Sequence, residues 1–141
     1  MIVFTCYNLG MNYMYINHRL NLKPISANRM FYRMKQKTAD YKRYQEEIRS
    51  IITFIDGDNF EWPFEKDERV FFNVHAGLSN KAADLDNIIK PLLDTYQSMY
   101  DNFNDKNVYG IALHKQLVPR GDEYLDVSVI GLQLNDSNDN T

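Results

Sequence analysis

Three aspartates and one lysine lie in a segment whose other residues are largely apolar, which runs from Ala83 to Tyr96 and reads ADLDNIIKPLLDTY. Asp84 and Asp86 are two residues apart, so in extended backbone both side chains point to the same side. Two carboxylates about 4 Å apart repel by roughly 4 kcal/mol at an effective dielectric of 20. A divalent cation reverses this repulsion, and Mg²⁺ is commonly held by one or two carboxylates. These aspartates are therefore candidate metal ligands, with a solubilising helix face as the alternative.

A helix is predicted to follow the two carboxylates. Pro91 lacks an amide hydrogen and is tolerated in a first helical turn, so the predicted helix begins near Asn87, itself a good N-cap residue. Asp84 and Asp86 would then belong to the extended segment before it. The apolar residues of the helix form one stripe at helical spacing: Leu85, Ile88, Ile89, Leu92, Leu93, Tyr96, Met99 and Tyr100.

The charged residues of this helix are not equivalent. Asp86 and Lys90 lie one turn apart along the edge of the apolar stripe, whereas Asp94 is predicted to point away from it, into solvent. Two roles are open for Lys90. It neutralises charge that develops on a phosphoryl group, or it is an intrahelical partner of Asp86 or Asp94, worth only about 0.3–0.5 kcal/mol.

Asp105, in the segment NFNDKNV, is the candidate for a third metal-binding carboxylate. The predicted helix of about 14 residues is roughly 20 Å long at 1.5 Å per residue. We therefore expect Asp105 to reach the other two carboxylates only if the following strand runs antiparallel to the helix, or if a partner chain supplies it. The spacing leaves both alternatives open.

Positive charge is concentrated in one part of the chain. The net charge is −3, which argues weakly against a nucleic-acid partner. Between Lys23 and Arg43, however, there are seven basic residues and one acid, so the other 120 residues carry 9 − 18 = −9. Such segregation suits a local anion site. Phe31 and Tyr32 lie among these basic residues and are predicted to be core residues, with base stacking as the alternative.

Composition limits the remaining classes of protein. A chain of 141 residues with 44% hydrophobic content suits a single domain, predicted here as residues 1–134, with a disordered tail at 135–141. Cys6 is the single cysteine, and neither a membrane-spanning apolar run nor a signal peptide is recognisable, so we expect a cytoplasmic protein with no membrane partner. His18, His75 and His114 match no zinc spacing and are predicted to be structural. There is no glycine-rich phosphate loop or nucleophile elbow.

Predicted strands and helices follow one another along the chain and would position these residues. An irregular or strand-like arm comes first, then a strand over 12–22 and a loop with turn residues. A helix follows with Thr38 or Asp40 as its cap. A strand over 68–78 and the acidic helix come next, and the strand has one apolar face: Val70, Phe72, Val74 and Ala76. Two last strands, near 108–118 and 124–134, are predicted to form a hairpin around PRGDE. The pattern predicts an α+β domain, a small mixed sheet with two main helices packed on it.

Two separated motifs resemble one known family. DLDNIIKPLLDTY followed by NDKNV is similar to the acidic core of the RusA-type Holliday-junction resolvases of bacteriophages and prophages. Upstream, KPISANRMFYRMKQKTADYKRYQEEI resembles the same family's Pro-x-Ser-x-Asn-Arg motif, basic loop and tyrosine-containing helix. The two matches occur in the family's order and cover about Leu20 to Leu132.

The resemblance implies a RusA-like fold, a homodimer and metal-dependent nicking of four-way DNA junctions. It makes Asp84, Asp86 and Asp105 ligands of Mg²⁺, or of Mn²⁺ as an alternative, with Lys90 as the essential lysine beside them. It also implies recombination and repair in a bacterial cell or a phage-infected host. The DNA-binding residues that we predict are Arg29, Arg33, Lys35, Lys37 and Lys81.

Two positions depart from the family pattern. Asn104 stands where many members have the first aspartate of the later acidic pair, and Ala83 stands where some have a basic residue. We expect Asn104 to be tolerated, because Asp105 aligns with the second aspartate of the pair. We expect Lys81 to steer phosphate in place of a basic residue at position 83. Two rival functions share these features: a protein that binds branched DNA without cutting it, and a nuclease specific for flaps or other structures.

Overall fold

The computed structural model describes residues 3–6 and 12–133, and burial of side chains within 15–132. The main elements in chain order are β1 (Val3–Cys6), β2 (Asn12–Leu20), α1 (Ala39–Asp56), β3 (Val70–Leu78), α2 (Asp86–Met99), β4 (Val108–Leu117) and β5 (Tyr124–Gln133). Short 3₁₀ turns occupy Ala27–Arg29 and Asp105–Asn107. The predicted α+β class with a mixed sheet and two main helices is confirmed. The predicted tail at 135–141 lies outside the described residues.

The five strands are ordered β1-β2-β5-β3-β4, with β3 and β4 parallel and the other neighbours antiparallel. The predicted hairpin of β4 and β5 is therefore wrong. Because α2 carries the chain back along β3, β4 starts beside the start of β3 and runs parallel to it, on the outside. The chain then passes the end of β3, where the Val118 amide bonds to the Leu78 carbonyl at 2.9 Å, and β5 returns on the other side. The apolar alternation of β5 suits this central position.

Both helices cover one face of the sheet, and the core lies between the helices and this face. The buried residues of this inner face include Ile16, Phe72, Val74, Val127 and Val129, and they meet Ile48 and Ile52 of α1 and Leu92 and Tyr96 of α2. Thr38 is the N-cap of α1, as one of the two predicted alternatives, because its hydroxyl accepts from the Tyr41 amide at 3.1 Å. The opposite, outer face of the sheet carries more polar residues.

His18 links β2 to both helices inside this core. Its Nε2 lies 3.1 Å from a carboxylate oxygen of Asp56, which can only accept, so Nε2 carries the hydrogen. Its Nδ1 then accepts from the Tyr96 hydroxyl at 2.8 Å. Burial lowers the pKa of His18 from 6.5 to about 4, which keeps the ring neutral. The prediction of a structural role for this histidine agrees with its burial.

We expect the free energy of unfolding to fall as the pH is lowered from about 6.5 to about 4, the window between the two pKa values of His18. The unfolded chain binds a proton in this window and the folded chain does not, so stability is present above it and is lost on acidification. The loss from this group is at most about 3 kcal/mol, since the Asp56 carboxylate offsets part of the burial effect.

Chemical denaturation across this pH window measures the effect. His18→Gln should flatten the pH dependence relative to the unmodified chain, whereas His75→Gln, on an exposed histidine, should leave it unchanged. A His18→Gln variant that folds and keeps the full pH dependence would show that His18 is not its source.

Candidate metal and nucleic-acid site

The beginning of α2 differs from its prediction. The helix starts at Asp86 and not at Asn87, and Leu85 before it already has helical backbone angles, φ −64° and ψ −38°. The backbone from Asp84 to Asp86 is therefore not extended, and strand alternation does not align the two carboxylates. Pro91 lies in the second turn, further inside the helix than its missing amide hydrogen suggested. The two aspartates still lie together at one helix terminus.

Both carboxylates at this terminus are exposed to solvent. Neither Asp84 nor Asp86 makes a side-chain hydrogen bond or ion pair with any described residue. The terminus also lacks a side-chain cap, because Leu85 occupies the N-cap position. Uncapped amide hydrogens and the helix dipole favour negative charge. The carboxylate of Asp86 can fill that need by itself, which is its structural explanation, and a phosphate group can share it.

The loop before α2, residues 79–85, is held in one conformation. The Asn80 side chain accepts from the Ala82 amide at 2.9 Å, which forms a turn. From the end of β4, Lys115 Nζ donates to the carbonyls of Lys81 and Ala83, both at 2.8 Å. This positioning lysine was not predicted from the sequence. The sequence pattern that could have revealed it is a single charged residue on the apolar inner face of β4, where Lys115 alternates with Ile111, Leu113 and Leu117.

Lys90 pairs with Asp94 and not with Asp86: its Nζ lies 3.3 Å from an Asp94 carboxylate oxygen. The lysine side chain is 64% exposed, and such an i,i+4 pair contributes only about 0.3–0.5 kcal/mol, so little holds it in place. Asp94 is not fully exposed to solvent as predicted, because only 31% of its side chain is accessible. It lies close enough to Tyr41 that its charge, together with the larger effect of burial, raises the pKa of Tyr41 to about 12.

Asp105 lies at the other end of α2. Its amide donates to the Gln97 side chain in the last turn of the helix, at 3.1 Å, and the adjoining loop is held by Phe103, whose ring stacks on Trp62 at 4.5 Å. β4 does run antiparallel to α2, but it starts after Asp105 and carries Lys115, not Asp105, back to the loop 79–85.

A single chain therefore keeps Asp105 about a helix length, roughly 20 Å, from Asp84 and Asp86. Within the described ranges, no cluster of three or more His, Cys, Asp or Glu side chains is arranged to hold a metal ion. Of the two alternatives left open by the sequence, an antiparallel strand does not bring the third carboxylate to the site. That a partner chain supplies Asp105 stays a prediction.

The predicted DNA-binding residues fall in two places. Lys81 lies in the loop 79–85, at the same end of α2 as the two carboxylates. Arg29, Arg33, Lys35 and Lys37 lie in the segment before α1 and are all exposed. This segment is anchored beside α2, since Lys37 Nζ bonds to Gln45 at 2.9 Å and Gln45 bonds to Thr95 at 3.3 Å. Phe31 and Tyr32, predicted as core residues, are 42% and 63% exposed, so that prediction is wrong.

The two other histidines meet on the sheet. His75 and His114 occupy matching positions on β3 and β4, and their rings stack at 4.3 Å on the outer face. In the part of the chain that the structure describes, no helix is long and apolar enough to cross a membrane. Comparison of the chain with protein-family models and with curated proteins finds no match.

Proposed function

We propose that this chain is a RusA-like, metal-dependent endodeoxyribonuclease that resolves four-way DNA junctions by paired nicks, as a homodimer in the cytoplasm of a bacterial cell or phage-infected host. The observation that carries the proposal is the pair of exposed, unpaired carboxylates of Asp84 and Asp86 at an uncapped helix terminus. Oxygen donors without protein partners suit a hard cation, and the free helix terminus beside them suits a phosphate. The rigid loop 79–85 keeps this arrangement in place before any ligand binds.

Each residue has a defined task in this proposal. Asp84, Asp86 and Asp105 of the partner subunit hold Mg²⁺, or Mn²⁺, which when bound polarises the scissile phosphate and lowers the pKa of a water for in-line attack. Lys90 exchanges its weak pairing with Asp94 for the phosphoryl oxygens. The basic residues before α1 and Lys81 contact the DNA backbone and fix its register.

A second chain can supply the missing carboxylate through the free edge of the sheet. β4 is an edge strand of ten residues, and Tyr109, Ile111 and Leu117 on it are exposed, which is an unusual surface for a monomer. Antiparallel pairing of β4 with β4 of a second copy places the start of one strand beside the end of the other. The end of β4 is where Lys115 contacts the loop 79–85, so Asp105 of the partner subunit approaches Asp84 and Asp86.

We expect the pure protein to make symmetrical nicks in a labelled four-way junction when Mg²⁺ is present, and none in EDTA. Flap and plain duplex substrates, tested beside the junction, should be cut at least about a hundredfold more slowly, because paired sites match the twofold symmetry of a junction. Cleavage is measured from the labelled strands under single-turnover conditions. Binding without scission would favour the architectural rival, and preferred cutting of flaps would favour the other nuclease.

A further inference from the structure

A short hairpin projects from the basic segment before α1. Residues Phe31–Lys37, called the basic hairpin below, are joined at their ends by an antiparallel bridge between Phe31 and Lys37. The Gln36 amide bonds to the Arg33 carbonyl at 2.7 Å, and the Tyr32 amide bonds to the Gln36 carbonyl at 3.1 Å. The tip therefore consists of two residues, Met34 and Lys35.

Both tip residues have left-handed backbone angles, φ 46° for Met34 and 61° for Lys35. This is the geometry of a type I′ turn, which strongly favours asparagine and glycine. A residue with a Cβ carbon pays about 1 kcal/mol or more for this conformation. Methionine and lysine are therefore poor choices for the turn itself, and this strain at an exposed position points to a use for their side chains.

The base of the basic hairpin is fixed to the core. Met30 before it is buried, and the Thr38 hydroxyl after it donates to the Arg29 carbonyl at 2.5 Å while it caps α1. The rings of Phe31 and Tyr41 meet edge to face, with their centroids 5.8 Å apart. The base of the tip is thus fixed to the core, so little backbone conformational entropy is left to lose on binding.

The tip combines an apolar side chain with positive charge. Met34 is 94% exposed and Tyr32 is 63% exposed. Arg33 and Lys35 are their neighbours in the hairpin, Arg29 and Lys37 lie at its base, and the sequence from Lys23 to Ala39 contains no acid. A complementary surface must offer many anionic groups and, between them, narrow apolar gaps. Stacked bases between two phosphate backbones have this construction.

We propose that the basic hairpin is a wedge that inserts Met34 between stacked bases of the bound DNA and unstacks them, with Tyr32 stacking on an exposed base. An anionic lipid surface fits less well, because Lys35 shares the two-residue tip and entering hydrocarbon is costly for it, whereas phosphates lie beside every base step. The choice of branched DNA as the occupant rests on the proposed function. The wedge goes beyond that function, because it predicts that the protein distorts the DNA that it binds.

The test is a four-way junction that carries 2-aminopurine at the branch point, titrated with protein in EDTA so that no strand is cut. We expect the unmodified chain to raise the fluorescence as the base unstacks. Met34→Asn should bind with an affinity changed by less than about tenfold and lose most of that rise, since asparagine keeps the turn and removes the apolar side chain. Arg33→Gln should lower the slope of log Kd against log salt by about 1.

Phe54→Ala is the matched control, because Phe54 is 91% exposed on α1, outside the basic hairpin. It should leave both affinity and fluorescence unchanged. Tight junction binding without a fluorescence rise would overturn the wedge, and so would an undiminished rise with Met34→Asn. Binding to vesicles rich in phosphatidylserine that requires Met34, without unstacking of DNA, would overturn it in favour of a membrane. Failure of the proposed function is distinct, because unstacking without Mg²⁺-dependent cleavage would leave the wedge standing.

Discussion

Replacing Asp86 with asparagine is expected to lower Mg²⁺-dependent cleavage of a four-way junction by at least about a hundredfold. The amide keeps the shape of the side chain but removes the negative charge that a hard cation requires, and even the outer partners of metal ligands are worth about 10- to 100-fold. Binding of the junction in EDTA should be kept or become tighter, since the unmodified carboxylate repels phosphate when the metal is absent. Single-turnover cleavage and equilibrium binding, measured on the same preparation, separate the two effects.

The structural explanation of Asp86 makes a different prediction for the same variant. If the carboxylate serves only the dipole of α2, Asp86→Asn costs about 0.3–1 kcal/mol of stability and leaves cleavage intact. Glu47→Gln is the matched control, because Glu47 is an exposed carboxylate in the middle of α1 and outside the proposed site. It should cleave at the rate of the unmodified chain. An Asp86→Asn protein with full activity would remove the basis for a metal at this helix terminus.

Local patterns in the sequence were sufficient to predict most helices and strands of the fold. Apolar residues that recur at helical spacing predicted α1. Four of the six are buried (Tyr41, Tyr44, Ile48 and Ile52), Ile51 is partly buried, and Ile55 in the last turn is 38% exposed. Alternation in β3 predicted its buried face. These predictions succeeded because burial of one face decides the conformation of each segment, whatever its neighbours are. The Thr38 cap was predictable for the same reason, since its hydrogen bond is made within four residues.

Predictions that depended on distant parts of the chain failed. A turn sequence between β4 and β5 suggested a hairpin, but β3 lies between these two strands in the sheet. The reason is that α2 returns the chain to the start of β3, so that β4 runs parallel to β3 on its outer side. The position of Asp105 follows from the same crossover, and no local pattern reveals it. Asp94 was assigned to solvent because its own helix cannot show that Tyr41 of α1 lies near it. The exposure of Phe31 likewise depends on the hairpin turn at Met34, whose residues are not typical of one.

A site shared between two chains makes a strong prediction for mixed dimers. Asp86→Asn and Asp105→Asn should each be inactive alone. A dimer with one chain of each kind contains one intact site, formed by Asp84 and Asp86 of the Asp105→Asn chain with the unmodified Asp105 of the other. Its second site carries both substitutions. Random pairing makes half of the dimers mixed, so about a quarter of all sites are restored.

The most direct measurement is therefore cleavage of a labelled four-way junction by the two variants after they are co-expressed with different tags and purified as mixed dimers. We expect Mg²⁺-dependent nicking to return, as single nicks and not as paired cuts, because each mixed dimer has one working site. Size-exclusion chromatography and the two tags verify that the dimers are mixed. Folded mixed dimers that stay inactive, or an Asp105→Asn chain that cleaves normally by itself, would contradict a metal site built from two copies of this chain.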